Sequence, residues 1–177
     1  MTAVATKQAQ AYIAKMLYEQ APSIYLGLGK STPWNDENKV PDNDPTATAL
    51  DEPIAYTKAQ DVALCTKLDK VEQGAITVGS TSYKPIANTD EINVDAVYIY
   101  AASTFSYEDL QKDTQFRQVG MFIGFKPKSD VKNTIILPTQ VEKQGTLVSI
   151  LNSKLVNITK TSPVKVGAIY SILPVLD

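Results

Sequence analysis

From Ala75 onward the pattern of the chain changes to a period of two, in a series of short runs. That period fits a strand, whose alternate side chains point to opposite faces, and it does not fit a helix. The candidate strands are 75–80, 95–103, 115–125, 133–138 and 165–176. The 95–103 run is especially rich in β-branched and aromatic residues. The run "GTLVSILNSKLVNIT" reads as two strands meeting in a tight turn at Asn152 and Ser153. Pro174 calls for an edge position or a strand end, because proline donates no hydrogen bond to a ladder.

The first part of the chain reads differently. Ala9, Tyr12, Ile13, Met16 and Leu17 stand three and four residues apart, which makes one apolar stripe on a helix over 3–20. Pro22 ends it, and Ile13, Met16 and Leu17 are expected to lie against the sheet. "SIYLGLG" is a short strand in which Gly27 and Gly29 leave one face open to a crowding backbone. A second helix is expected over 58–72, with Thr57 and Gln60 as a capping box and Leu64, Leu68 and Val71 on one face. Gly74 stands where a helix C-terminal glycine belongs. Between strand and helix, 30–56 carries Pro33, Pro41, Pro45 and Pro53, which rule out regular structure and stiffen the chain. The expectation is an α+β fold over 1–177 as a single domain. It would be mostly antiparallel sheet, with an N-terminal helix, a second helix and a long proline-rich arm.

Composition narrows the function. The chain has no histidine and one cysteine, so Ser-His-Asp and Cys-His nucleophiles and zinc sites built on Cys and His are excluded. Cys65, in Ala-Leu-Cys-Thr, reads as a small core residue. A net charge of −2 gives no basic footprint for nucleic acid. No stretch reaches the roughly 18 consecutive apolar residues of a membrane span. The first twenty residues lack the basic and apolar regions of a secretory signal, so synthesis in a cytoplasm is expected.

Apparent motifs give way to plainer explanations. "GLGKST" has Ile24 where a phosphate loop requires its first glycine, and Pro-Trp follows where a helix should open. Asp36, Glu37, Asp42 and Asp44 lack the spacing of a calcium loop and suit Asx turns. Glu108, Asp109 and Asp113 lie in a polar connection. Trp34 after Pro33, on a long loop, suits an anchor against its own domain or a partner. No catalytic, metal or cofactor-binding residues are assigned.

Two stretches together, "YLGLGKSTPWNDENKVPDND" and "QFRQVGMF", resemble the baseplate wedge proteins of contractile-tailed bacteriophages, in particular the dimeric wedge subunit of myoviruses. The ending "GTLVSILNSKLVNITKTSPVKVGAIYSILPVL" adds to the likeness. Long members of that family carry a second domain of similar build, for which this chain has no room. The resemblance implies a non-enzymatic virion protein, without cofactor, that links neighbouring subunits in the baseplate wedge or periphery. Its partners would be other baseplate and tail proteins and copies of itself, with neither nucleic acid nor membrane. The arm would reach out of the domain. Contacts are expected from Pro33, Trp34, Asn35, Asp36, Glu37 and Asn38 on the arm, and from Phe116, Arg117 and Gln118 on a strand. Phe116 should point inward or to an interface, with Arg117 opposite it, making an intersubunit or loop-bracing contact. The alternatives are another tail or neck subunit, or a carbohydrate- or host-surface-binding module that stacks ligands on Tyr and Trp.

Overall fold

The computed structural model describes residues 6–87 and 91–172. In chain order the elements are α1 (Lys7–Tyr18), β1 (Ile24–Gly29), β2 (Ala55–Lys58), β3 (Asp61–Leu68), β4 (Ile76–Val78), β5 (Thr81–Ile86), β6 (Tyr98–Phe105), α2 (Tyr107–Leu110), β7 (Thr114–Ile123), β8 (Lys126–Pro127), β9 (Ile135–Ile136), β10 (Val141–Lys143), β11 (Thr146–Ile158) and β12 (Val164–Ser171). Two five-stranded antiparallel sheets form, in the orders β11-β7-β1-β2-β9 and β12-β6-β3-β5-β4, beside a small β8-β10 ribbon. The α+β expectation holds as mostly antiparallel sheet with two helices. Pro174 lies outside the described residues.

Alternation along the strands builds the core between the sheets. Ile24, Leu26 and Leu28 of β1 point one way and are fully buried with Met121 of β7 and with Ile99, Ala101 and Phe105 of β6. Phe116 joins them, 1 % exposed, which settles the inward side of β7. The opposite face of the first sheet carries a smaller cluster of Leu50, Tyr56, Phe122, Phe125 and Ile136. A third cluster, with Tyr83 edge-on to Tyr98 at 5.2 Å, backs the second sheet.

Three expectations are corrected. The helix expected over 58–72 is instead the last residue of β2, the whole of β3 and the turn after it. Leu64 and Leu68 stand at helical spacing, but they also stand at strand spacing. β3 is paired on both sides, with β5 and β6, and a two-sided ladder outweighs a weak local preference. Thr57 is a buried strand residue whose hydroxyl donates to Thr134 O at 3.1 Å, so it caps nothing. The turn expected at Asn152 and Ser153 is absent, and β11 runs through as one strand of 13 residues. Its register with β7 jumps from Asn152↔Gln118 to Val156↔Phe116, so a bulge absorbs the irregularity without reversing the chain.

The third correction concerns α1, which is present but turned. Gln10, Ala11 and Ala14 are its buried residues, and the helix rests on β3 and β6. Tyr12, Ile13 and Met16 are about half exposed. Of the three residues expected to face the sheet, only Leu17 packs against the core, and partly. Two small alanines allow the helix to lie close to the sheet, which the bulkier stripe would not permit.

These placements predict a sharp contrast in urea unfolding. Leu26→Ala should lower stability by about 2–5 kcal/mol, as full burial with little room to collapse demands. Ile13→Ala should stay within about 0.5 kcal/mol of the parent, as at other surface positions. Equal losses would mean that α1 is packed through its apolar stripe after all.

Candidate functional site

Residues 30–54 have no helix or strand, as the prolines require. They do not project as an arm. They fold back across the first sheet, on the face away from the core between the sheets, and are bonded to β7 and β11. The base of this strap is closed by Lys30 N donating to Asp51 O at 2.6 Å and Ile54 N donating to Leu28 O at 2.8 Å. Both residues of the salt bridge at the base, Lys30 and Glu52 at 3.1 Å, have left-handed backbones, with φ of 59° and 44°. Non-glycine residues adopt that region only when their surroundings hold them there.

Sequence explains why the strap fits so closely. A side chain added at Gly29 would stand 2.7 Å from Asp51 O, and one at Gly27 would stand 2.8 Å from the Tyr56 ring. The bare positions of β1 therefore admit the returning backbone and Leu50, as the alternating glycines suggested.

Arg117 holds the centre. Strand alternation points it away from the core, opposite Phe116, yet the strap covers it and its side chain is only 4 % exposed. Its Nε donates to Glu37 Oε1 at 3.0 Å, Nη2 to Glu37 Oε2 at 3.3 Å and Nη1 to Ser31 O at 2.6 Å. Planar guanidinium geometry suits this fork. Glu37 also accepts from Trp34 N at 2.7 Å. Its carboxyl is held below the ordinary range, chiefly by the Arg117 hydrogen bond.

Next to it, Gln118 is buried. Its Nε2 donates to Asn152 Oδ1 at 3.0 Å and its Oε1 accepts from Asp51 N at 2.8 Å. Asn152 in turn donates to Pro41 O and Asp42 O, while its backbone N–H donates to Asn43 Oδ1. Trp34 is half-buried and its indole N–H donates to Ser153 O at 2.9 Å. The Lys30 ammonium sits 5.6 Å from the centre of its ring.

At the base, Glu52 gathers the run that resembled a phosphate loop. It accepts from the Thr32 hydroxyl and backbone, from Ser31 and from Lys30, with the Thr32 hydroxyl at 2.5 Å. Those bonds, the Thr32 hydroxyl first, pull its carboxyl down to about 2.

Phe116 thus lies in the core, Arg117 and Gln118 brace the strap from the outer face of β7, and Pro33, Asn35, Asp36 and Asn38 are exposed on top of the strap. Sequence reasoning missed Asn152, Ser153, Glu52 and Ser31. Asn152 and Ser153 carried a signal, as polar residues interrupting an apolar strand, but it was read as a turn. Asp109 is used up as a partner of Ser106, the N-cap of α2. Cys65 is fully buried and its thiol is pushed up to about 11 by that burial, as for an inert core residue. Among the described residues no helix is long and apolar enough to cross a membrane.

Comparison with known proteins places this geometry. The profile of the family described as baseplate wedge 3 tail fiber network component matches residues 2–172. The chain is also similar to virion protein 3 of Enterococcus phage phiEF24C. The two are 32 % identical over 160 residues, which cover 89 % of this chain and 88 % of that protein.

Two outcomes test the strap. Arg117→Ala should expose 31–52 to protease in a chain that otherwise resists. Losing charged hydrogen bonds worth about 1.4 kcal/mol would raise cleavage about tenfold where opening is at equilibrium. Acid should loosen the strap too. Glu37 and Glu52 have folded values below the ordinary 4.5, so their contribution is complete above it and is lost as pH falls through the folded values, to about 2 for Glu52. The single tryptophan reports this. Its emission should shift red between about pH 4.5 and 2, and the lower part of that change should vanish in Glu52→Gln. An unchanged spectrum over that range would contradict the assignment.

Proposed function

We infer that this chain, which belongs to the family of baseplate wedge 3 tail fiber network components, links neighbouring subunits of a phage tail baseplate through the top of its strap. The family and the phage relative make it a structural virion protein. The linking role is supported by one observation above all. A proline-stiffened segment is fixed by a buried arginine, so its exposed residues are held in a defined shape before any partner arrives. Preorganisation of that kind lowers the entropy lost on docking.

The whole chain acts as one α+β unit in the virion, with other baseplate and tail proteins, and further copies of itself, as its partners. Pro33, Asn35, Asp36 and Asn38 supply the contact. Phe116, Arg117 and Gln118 support it from beneath. A sugar-stacking role for Trp34 is disfavoured, because its N–H is bonded inward and a lysine ammonium lies against its ring. A net charge of −2 likewise favours protein partners over nucleic acid.

The test separates contact from support. Asn35→Arg combined with Asn38→Arg should melt with the parent but fail to enter particles. Arg117→Ala should fail as well, with its strap open to protease. Normal incorporation of the double variant would remove the strap from the interface.

A further inference from the structure

The first sheet is uneven at the end where the strap begins. β1 stops at Gly29, opposite Gln118, whereas β7 starts at Thr114 and is paired there only with β11. On the far side, the chain continues past β9 as Leu137, Pro138 and Thr139. The two central strands therefore stop short of their neighbours. The gap between is an open cleft of about 770 Å³ with Pro53 and Ile54 beside the strand ends, Asp113 and Gln115 on one side, and Leu137 and Pro138 on the other.

The backbone direction in this gap follows from the register. Ile24 O and Leu28 O accept bonds from Ala59 N and Ile54 N, toward β2. The odd residues of β1 therefore face β7, and Gly29 meets Gln118. Alternation in β7 slips once before Val119, because Phe116 shares the inner side with Val119 and Met121, so Thr114 and Phe116 face β11 and the outward Gln115 turns its N–H and C=O into the empty lane. Leu137 is 45 % exposed at its border. The rim is mixed, with Glu52, Lys112 and Asp113 lining the cleft, so it selects neither a cation nor an anion. A lane between strands, with a backbone facing into it and apolar residues along it, fits an extended polypeptide.

We propose that this cleft is a second docking site, taken by an extended segment of a neighbouring tail protein. The segment adds beside the start of β7 and lays an apolar side chain against Ile54 and Leu137. The proposal rests on the baseplate reading, and it can fail while that reading stands.

Gln115→Cys and Leu137→Cys test it, with Val71→Cys as an exposed control remote in sequence, since native Cys65 is buried. N-ethylmaleimide should label all three in the free protein. In assembled particles labelling at 115 and 137 should fall several-fold relative to 71. A photo-crosslinking amino acid at position 137 should then join one short run of a single neighbour, and a synthetic peptide of that run should protect both cysteines of the free protein. Free-rate labelling in particles would overturn the proposal. So would crosslinks scattered over a folded surface, or a peptide that protects neither cysteine. Particles that lack the chain would instead overturn the baseplate reading itself.

Discussion

A positive charge taken out of water needs an answer, and at Arg117 the answer organises one face of the molecule. Its guanidinium lies on the outer side of β7, where a strand residue would ordinarily meet solvent. The strap covers it and supplies a carboxylate and a carbonyl in return. Neither part is sensible alone. The strap has no helix or strand to satisfy its backbone, and the buried cation would be costly without partners. Each removes the other's penalty, so the strap has one position.

That position is possible because the sheet beneath it is bare. β1 alternates large residues toward the core with Tyr25, Gly27 and Gly29 outward, and the two glycines admit Leu50, Tyr56 and the Asp51 carbonyl. β11 contributes through its bulge, which breaks the pairing opposite Arg117 and frees Ser153 O for the Trp34 indole. Asn152, just before it, receives the far limb of the strap. A regular strand there would have bonded its carbonyls to β7 and left the tryptophan without an acceptor.

The apolar stripe of α1 faces away from this scaffold. Tyr12, Ile13 and Met16 are exposed around a helix that uses small residues to approach β3 and β6. A single exposed apolar side chain is ordinary. Three at helical spacing set a limit on pattern-based reasoning, because periodicity identifies the helix but cannot say which of two packable faces the sheet will accept.

Local rules determined much of this protein from sequence alone. Period-two alternation gave β6, β7 and β12, the prolines excluded regular structure from the strap, and the β1 glycines announced a close approach. The inward Phe116 and outward Arg117 followed from one strand's alternation. Tertiary structure decided the rest. β3 is a strand because neighbours pair with it on both sides, and β11 bends instead of turning because β7 runs alongside it. Arg117 meets Glu37 across 80 positions of sequence, and Trp34 meets Ser153 across 119. No local period encodes such pairs. They arise when the core fixes the strands and the strap must then find partners for every polar group it buries.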